Sequence, residues 1–414
     1  MTSWFSPRVV SWVGKGFWAV VDQALFAGTN FLVNILLARW LEPAAYGAFA
    51  TAYAVFLLLG TLHTALWTEP MLVYGSSRYR EAFGAYQAVL LRYHWRLALV
   101  VFAVFGILGL GLGVVGQREL ALSFLGLSLA APVVLYMWLV RRGAYVLLDP
   151  RLAALGGGVY LLLYLALATF LMKVGSLNNL TALLAMALGA LMAAEAIRLR
   201  LVVGLQGGVD PSAIWQTHWS YGRWVVLAGI FSWVPGSVPL FALSLKHDLE
   251  ATAQFKVLQD LLMPAFHVLA ALNQLLVPLM ARASSKSERM RNLRVFLAIF
   301  LLLSTAYWAL LATQGLRIII WLYGEKYAHL APWLPLMGFL PVIGAVVFVM
   351  GGFFRALGLP KVVTFAYGVG ALFSLFIGSV MVWVGGIEGG VFSSLLVQLL
   401  MAMVFALYYK REVQ

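Results

Sequence analysis

Two acidic side chains, Asp22 and Asp260, lie inside long apolar stretches of the chain. An ionisable group in hydrocarbon costs about 2.5–3.5 kcal/mol on insertion scales, so each carboxylate requires a partner or a hydrated cavity. In the second stretch the polar side chains recur at helical spacing within a stripe of about 40°. These side chains are Lys256, Asp260, His267 and Gln274. Because a carboxylate and an imidazole on one helix face can exchange a proton or hold a cation, Asp260 and His267 are predicted to couple an ion.

A second group of polar residues is predicted to line a cavity. Near Asp22, the side chains of Gln23, Thr29, Asn30 and Asn34 share one half of the helical wheel. The predicted cavity and substrate-binding residues are Asp22, Asn30, Asn34, Arg39, Lys256, Gln274 and Arg355. Two alternatives stay open. The three amide side chains could instead join helices by hydrogen bonds, and Lys256 and Asp260, four residues apart, could neutralise each other.

Residues for covalent or nucleotide-driven chemistry are absent from the sequence. There is no P-loop, so ATP is not the direct energy source, and no histidine spacing typical of zinc sites. The chain has no cysteine, which excludes disulfides, thiolate metal ligands and cysteine nucleophiles. We therefore expect neither an enzyme nor a bound cofactor or metal.

The elements that must position these residues are apolar helices. The chain is 63% hydrophobic and 10% charged, whereas a soluble domain is about 25% charged. Twelve apolar stretches are each close to the ~20 residues that a helix needs to cross a bilayer. They are 16–38, 45–68, 97–117, 120–140, 153–172, 180–197, 224–245, 253–280, 295–313, 331–354, 362–384 and 389–409. The sequence predicts an all-α polytopic membrane protein of about twelve transmembrane helices.

The basic residues predict the orientation of the chain. Of its 28 Lys and Arg residues, 21 fall in segments on one side if the N-terminus is cytoplasmic. The other seven are Arg39, Arg118, Lys173, Lys246, Lys256, Arg317 and Lys326. Cytoplasmic retention of basic loops produces such a split, so both termini are predicted to be cytoplasmic. The net charge of +13 does not indicate nucleic-acid binding, because the basic residues flank spans and face the headgroups of membrane lipids.

The predicted spans divide six and six. An offset of about 206 residues carries span three onto nine, four onto ten, five onto eleven and six onto twelve. Because six is even, both halves begin on the same side, and the repeat is parallel, with an axis along the membrane normal. We predict an N-terminal six-helix lobe at 1–200, a cytoplasmic linker at 201–222 and a C-terminal six-helix lobe at 223–414.

Three local patterns refine this division. Asp210 followed by Pro211 is typical of a helix cap and first turn. An aromatic stripe beside arginines predicts an interfacial helix at 78–93. Pro235 and Pro239 each remove a backbone hydrogen bond, so a break in span seven is predicted at 232–239, and a kink accommodated by packing stays open as the alternative.

Three short segments carry a resemblance. They run from Asn34 to Gly47 (NILLARWLEPAAYG), from Trp321 to Tyr327 (WLYGEKY) and from Pro278 to Arg282 (PLMAR). They resemble the polysaccharide transporters, or Wzx-like oligosaccharide flippases, of the multidrug/oligosaccharidyl-lipid/polysaccharide exporter superfamily. The resemblance covers the whole chain in span number and topology. With twelve predicted spans, the chain is expected to lack the two additional C-terminal spans of the lipid II flippase branch.

The resemblance implies a flippase that moves polyprenyl-diphosphate-linked oligosaccharide or polysaccharide precursor across a bacterial cytoplasmic membrane by alternating access. It implies lipid-linked oligosaccharide and membrane lipids as partners, with coupling to H⁺ or Na⁺. Polymerase or other glycan-assembly proteins are further expected partners.

Two other classes of function stay open. One is a cation-coupled antiporter of drugs or other small molecules from the same superfamily. The other is an integral-membrane glycosyltransferase or polymerase, which would need a sizeable outside loop with clustered acids or arginines. The predicted outside loops do not exceed about eight residues, and this favours transport.

Overall fold

The computed structural model describes residues 7–201 and 208–413. Within these residues the chain is helical and contains no strand. The helices are α1 (Pro7–Trp40), α2 (Pro43–His63), α3 (Glu69–Gly75), α4 (Phe83–Val114), α5 (Arg118–Val146), α6 (Pro150–Lys173), α7 (Asn179–Arg198), α8 (Pro211–Lys246), α9 (Leu249–Asp260), α10 (Met263–Ala281), α11 (Lys286–Tyr323), α12 (Leu334–Met337), α13 (Leu340–Ala356), α14 (Pro360–Phe373) and α15 (Ser379–Val413). Short π-helical turns at Thr64–Thr68 and Ser374–Gly378 join α2 to α3 and α14 to α15, and a 3₁₀ helix at Glu325–Trp333 precedes α12.

Proline and glycine mark many of the helix ends. Helices α2, α6, α8 and α14 begin at a proline, whose fixed φ suits the first helical position and whose missing N–H is not needed there. At the end of α11, Gly324 adopts a φ of 88°, a region that other residues rarely enter. Asp210 caps α8 as predicted, because its Oδ1 accepts a hydrogen bond of 2.9 Å from the Ser212 amide.

The predicted fold class is confirmed. Among the described residues, ten helical segments are long and apolar enough to cross a membrane, and a pair of helices bent by 44°, Glu325–Met337 and Leu340–Ala356, forms an eleventh. The longest segment, Pro360–Arg411, covers both of the last two predicted spans. It is divided at Gly386, whose φ of 56° and ψ of −132° are not helical. Each predicted span therefore has a helical counterpart.

The chain forms two compact units. The first consists of the described residues up to Val33 together with Ala52–Gly229, and the second of Asn34–Thr51 and the residues from Ile230 onward. In the first unit α5 packs against α4, α6 and α7, and in the second α13 packs against α10, α11, α14 and α15. Helices α5 and α13 correspond to spans four and ten, which the predicted repeat places in equivalent positions. The lobes at 1–200 and 223–414 and the linker at 201–222 stay predictions, and 202–207 lie outside the described residues.

The predicted break in span seven is wrong. Helix α8 continues from Pro211 to Lys246 through both prolines. Between them, the Gly236 carbonyl accepts a hydrogen bond of 2.9 Å from the Gln259 side chain. Span eight is interrupted instead, at residues 261–262, and α10 starts again with Pro264 in its first turn. A proline in the first turn loses no helical hydrogen bond, so it favours a new helix start there.

The predicted interfacial helix at 78–93 is also corrected. Its first residues form turns, and the rest is the beginning of α4, which starts at Phe83 and continues to Val114 as one helix. The aromatic stripe is buried rather than facing a membrane surface. Phe83, Tyr86 and Leu90 pack with Trp67 and Ile214 in the core of the first unit.

Candidate functional site

In the first unit the carboxylate of Asp22 is fully buried and held by three donors. Arg141 from α5 approaches it with Nε 2.8 Å from Oδ1 and Nη2 2.5 Å from Oδ2. The Tyr145 hydroxyl, one turn further along α5, donates to Oδ2 at 2.5 Å. The Arg141 guanidinium lies 4.4 Å from the centroid of the Phe26 ring. Such a bidentate pair fixes both the charge and the orientation of the carboxylate.

In the second unit a different set of donors surrounds Asp260. This residue ends α9 and forms an ion pair with Lys256, one turn earlier on the same helix. The hydroxyl of Tyr46, from α2, donates to Asp260 Oδ2 at 2.6 Å. Asp260 is 1% exposed and Lys256 is 7% exposed. The carboxylate, ammonium and phenol therefore form one buried polar cluster, which we call the Asp260 cluster.

Local packing explains how α2 reaches the Asp260 cluster. A Cβ at position 47 would overlap the carbonyl oxygen of Leu249, so only glycine allows the two backbones to approach this closely. Gly47 follows Tyr46 directly, and the close approach brings the Tyr46 ring beside α9. Two more buried tyrosines, Tyr323 and Tyr327, have hydroxyls without a hydrogen-bond partner among the described residues. Tyr323 lies within electrostatic range of Asp260.

Two of the three segments that carry the family resemblance meet in the second unit. Arg39, at the end of α1, donates through Nη1 to the carbonyl oxygen of Trp321 at 2.5 Å. Lys326 donates to the carbonyl oxygen of Leu41 at 2.5 Å. The segments at 34–47 and 321–327 therefore bind each other through backbone carbonyls. This contact joins elements more than 280 residues apart and helps to hold α2 beside α9.

Three of the predicted residues, His267, Gln274 and Arg355, do not join these clusters through any described contact. His267 is exposed on α10, and the helix interruption at 261–262 separates it from Asp260. Gln274 and Arg355 are also exposed, although Arg355 Nε donates to the carbonyl oxygen of Gly351 at 3.2 Å. Their predicted roles stay predictions.

The amides of span one lie beside tyrosines. Asn30 Oδ1 is 3.4 Å from the Tyr53 hydroxyl, and Asn34 Oδ1 is 3.5 Å from the Tyr46 hydroxyl. Contacts of this kind fit the alternative in which amides join helices.

Sequence reasoning missed the donors to Asp22 and the Tyr46 donor to Asp260, whereas the pairing of Lys256 with Asp260 was one of its open alternatives and the ion pair fits it. Arg141 was counted with the cytoplasmic basic residues, although it is 7% exposed and bound to Asp22. One signal was available, because Arg141 and Tyr145 stand four residues apart and so share a helix face. Tyr46 gave no such signal, since its partner lies 214 residues away.

The fold matches solved transporters over nearly its whole length. An inward-facing multidrug resistance transporter of the MATE family, in the MOP superfamily, has a TM-score of 0.76 at 13% identity, covering 95% of this chain and 100% of that one. The lipid II flippase MurJ, in an inward closed conformation, has a TM-score of 0.72 at 11% identity, covering 97% of this chain and 87% of that one. The MATE multidrug transporter DinF-BH has a TM-score of 0.68 at 14% identity, covering 98% of this chain and 96% of that one.

No protein-family model and no curated protein matches the sequence. The likeness to these structures at 11–14% identity establishes the fold, and a fold by itself does not fix a substrate. The chain has the fold of MOP superfamily transporters.

Proposed function

We propose that the protein is a membrane transporter that moves a polyprenyl-diphosphate-linked oligosaccharide or polysaccharide precursor outward across the cytoplasmic membrane by alternating access. The observation that carries the transport function is the fold, shared with multidrug transporters and with a lipid II flippase. The segments that resemble polysaccharide transporters favour the lipid-linked substrate over a drug.

The distribution of charge also favours an anionic substrate. An unpaired charge in hydrocarbon would cost tens of kcal/mol by the Born estimate, so a diphosphate needs cations along its route. At the start of α11, Lys286, Arg291 and Arg294 line a surface groove of about 560 Å³, which we call the basic groove. We assign the basic groove to the first contact with the diphosphate on the cytoplasmic side.

The membrane potential supplies part of the driving force. Moving a negative charge outward from a negative interior is favourable by about 2.3 kcal/mol per 100 mV. Two charges on the diphosphate give roughly 4–5 kcal/mol at that potential. Exchange of a proton at the Asp260 cluster would then serve the return of the empty transporter, because a lysine can lose its proton when buried whereas an arginine cannot.

Deletion of the gene tests this function directly. The deletion strain is expected to accumulate lipid-linked glycan on the cytoplasmic leaflet, while extracts transfer sugars normally. Complementation with Lys286→Gln, Arg291→Gln and Arg294→Gln combined should restore less export than wild type. The matched control removes three other exposed charges, with Lys361→Gln, Lys410→Gln and Arg411→Gln. Loss of sugar transfer in the extracts would support the glycosyltransferase or polymerase instead.

The antiporter is the second candidate, because two of the matching structures are named as multidrug transporters. It predicts a different phenotype for the deletion strain. That strain would show greater sensitivity to cationic dyes and drugs with unchanged lipid-linked glycan. Such a result would replace the lipid-linked substrate and leave the transport function standing.

The predicted orientation of the chain in the membrane can be tested by cysteine labelling, because the sequence contains no cysteine. Ser176 and Ser287 are both exposed and neither is the first residue before a helix, so Ser176→Cys and Ser287→Cys should not disturb a cap. A membrane-impermeant maleimide is expected to label Ser176→Cys in intact cells and Ser287→Cys only after permeabilisation. The reverse pattern would show that the protein is inserted the other way round.

A further inference from the structure

A second buried polar cluster lies in the first unit, apart from the carboxylates. His63, the last residue of α2, is 0% exposed, and His94 of α4 is 1% exposed. His63 Nε2 lies 3.3 Å from His94 Nδ1, with the two rings nearly perpendicular at 83°. Because both rings are buried against each other, one nitrogen of this contact donates and the other accepts.

The ring nitrogens outside this contact are buried as well. His63 Nδ1, His94 Nε2 and the nearby Trp67 Nε1 are buried and have no hydrogen-bond partner among the described residues. Trp67 stacks on the His63 ring at 5.3 Å with an interplanar angle of 7°. Buried polar atoms are normally paired, and here only the Pro132 carbonyl faces His94, so the cluster calls for an explanation.

A third buried histidine in the same unit shows the contrast. His218 of α8 is 1% exposed, yet both of its ring nitrogens are engaged. Nδ1 lies 2.7 Å from the carbonyl oxygen of Leu66, and Nε2 lies 2.6 Å from the Tyr86 hydroxyl. This unit can therefore satisfy a buried imidazole completely, and it does not do so at His63.

The pair stands next to a π-helical turn. The π-helical turn at Thr64–Thr68 follows His63 directly. Such turns are rare and often occur at functional sites. His218 binds the Leu66 carbonyl within this turn, and a Cβ on Gly222 would be only 2.6 Å from the Ala65 oxygen. Helix α8 therefore holds the turn whose first neighbour is His63.

The surroundings of the pair oppose a positive charge in this conformation. On α5, the Pro132 carbonyl and the ring of Tyr136 face His94. Two charged groups lie beyond Tyr136. Glu195 accepts a hydrogen bond of 2.8 Å from the Tyr136 hydroxyl, and Arg198 forms an ion pair with Glu195. No carboxylate contacts either imidazole among the described residues. A buried charge without a partner is costly, so both rings are neutral here.

We propose that the His63–His94 pair is a proton-binding site, neutral in this conformation and occupied by one proton when α2 and α4 move apart. The proton comes from water and binds to the ring nitrogen that carries the free lone pair, and it returns to water when the helices close. Since a ligand shifts an equilibrium only by its different affinity for the two states, proton binding favours the open arrangement of the first unit. This proton-binding site is separate from the proposed substrate, and its occupancy can be measured without any transported substrate.

Nuclear magnetic resonance of the full-length protein in lipid nanodiscs tests this site. The chain has six histidines, so ¹⁵N-histidine labelling gives a small set of signals, which His63→Gln, His94→Gln and His218→Gln assign. On acidification the signals of His63 and His94 are expected to change together, in one step that takes up one proton. In His94→Gln that step should be lost or displaced. His247→Gln is the control, because this histidine of the second unit is bound to the Val382 carbonyl oxygen at 3.0 Å and lies outside the pair, and it should leave the step in place.

The wild-type titration is informative even if the variants fold poorly. His63 and His94 signals that stay neutral down to the acid limit of the folded protein would overturn the proposal. Independent titration of the two rings, each unaffected by removal of the other, would overturn it as well. A failure to transport lipid-linked glycan would bear on the proposed function alone.

Discussion

The two buried carboxylates, one in each unit, are compensated by different sets of donors. Asp22 is bound by an arginine from another helix, through two hydrogen bonds and with a tyrosine as third donor. Asp260 is bound by a lysine one turn away on its own helix and by one tyrosine from α2. Both carboxylates are almost completely buried.

The difference lies in what each pair can do. Arginine keeps its charge at any ordinary pH, so the Asp22–Arg141 pair is a permanent contact between α1 and α5. Lysine can lose its proton in a buried site, so the Asp260 cluster can change its charge. A pair within one helix also imposes no constraint between helices. We therefore interpret the first pair as a structural contact and the second as the group suited to proton exchange.

Breaking the Asp22–Arg141 pair should have the largest effect. Arg141→Leu leaves an unpaired buried carboxylate, and loss of one partner of a buried pair typically costs about 3–5 kcal/mol. Thermal unfolding in detergent micelles should show this loss. The double variant Asp22→Leu with Arg141→Leu removes both charges and should recover much of the stability. Equal destabilisation by the single and double variants would contradict a role for the unpaired charge.

Asp260→Asn should destabilise the protein less than Arg141→Leu and should impair transport more. Lys256 can become neutral when its partner is lost, so we expect a loss of about 2 kcal/mol in the free energy of unfolding. Transport should slow and depend less on external pH. His267→Gln tests separately whether the other ionisable residue of the predicted stripe, which is exposed on α10, contributes to the pH dependence of transport. A variant of Asp260 with the wild-type rate and pH profile would leave the membrane potential as the whole driving force.

The hydrogen bond from Tyr46 should contribute a smaller amount. Tyr46→Phe removes a donor to a buried carboxylate, which is worth about 1.5 kcal/mol. Tyr164→Phe is the matched control, because that tyrosine is also fully buried but its hydroxyl has no hydrogen-bond partner among the described residues. Comparable unfolding temperatures for the two variants would show that the Tyr46 hydroxyl does not stabilise the Asp260 cluster.

The smallest effect is expected at Asp210, a carboxylate exposed to water. Hydrogen bonds from the side chain and backbone of Ser212 lower the pKa of this carboxyl group from its ordinary value. Its stabilising effect on α8 is therefore present at neutral pH and is lost as the pH falls through the lowered pKa. Asp210→Ala should lower the unfolding temperature at pH 7 and have no further effect in strong acid. An equal decrease at both pH values would rule out the charge as the cause.

The same comparison shows which features the sequence could predict. Hydropathy located every span, because the length of an apolar run is a local property of the chain. Asp210 and Pro211 marked the start of α8 for the same reason. The partners from other helices were beyond local patterns, since Arg141 lies 119 residues from Asp22 and Tyr46 lies 214 residues from Asp260. Lys256, one turn from Asp260, was within reach of a local pattern.

The helix interruption shows a second limit. Pro235 and Pro239 were the stronger sequence signal, yet α8 continues through them and the chain is interrupted before Pro264. Proline weakens a helix wherever it stands inside one, and the surrounding packing decides whether the helix ends. The helical stripe from Lys256 to Gln274 assumed one unbroken helix, and for that reason it joined His267 to Asp260.

Flipping by the purified protein tests the central claim most directly. The protein is reconstituted into liposomes with a fluorescent polyprenyl-diphosphate-linked oligosaccharide, and the label on the outer leaflet is read by a membrane-impermeant quencher. Our account predicts that the protein moves the lipid between leaflets, and that a potential negative on the side of origin speeds the movement. An absence of lipid movement, together with proton-driven uptake of a cationic dye by the same vesicles, would contradict it.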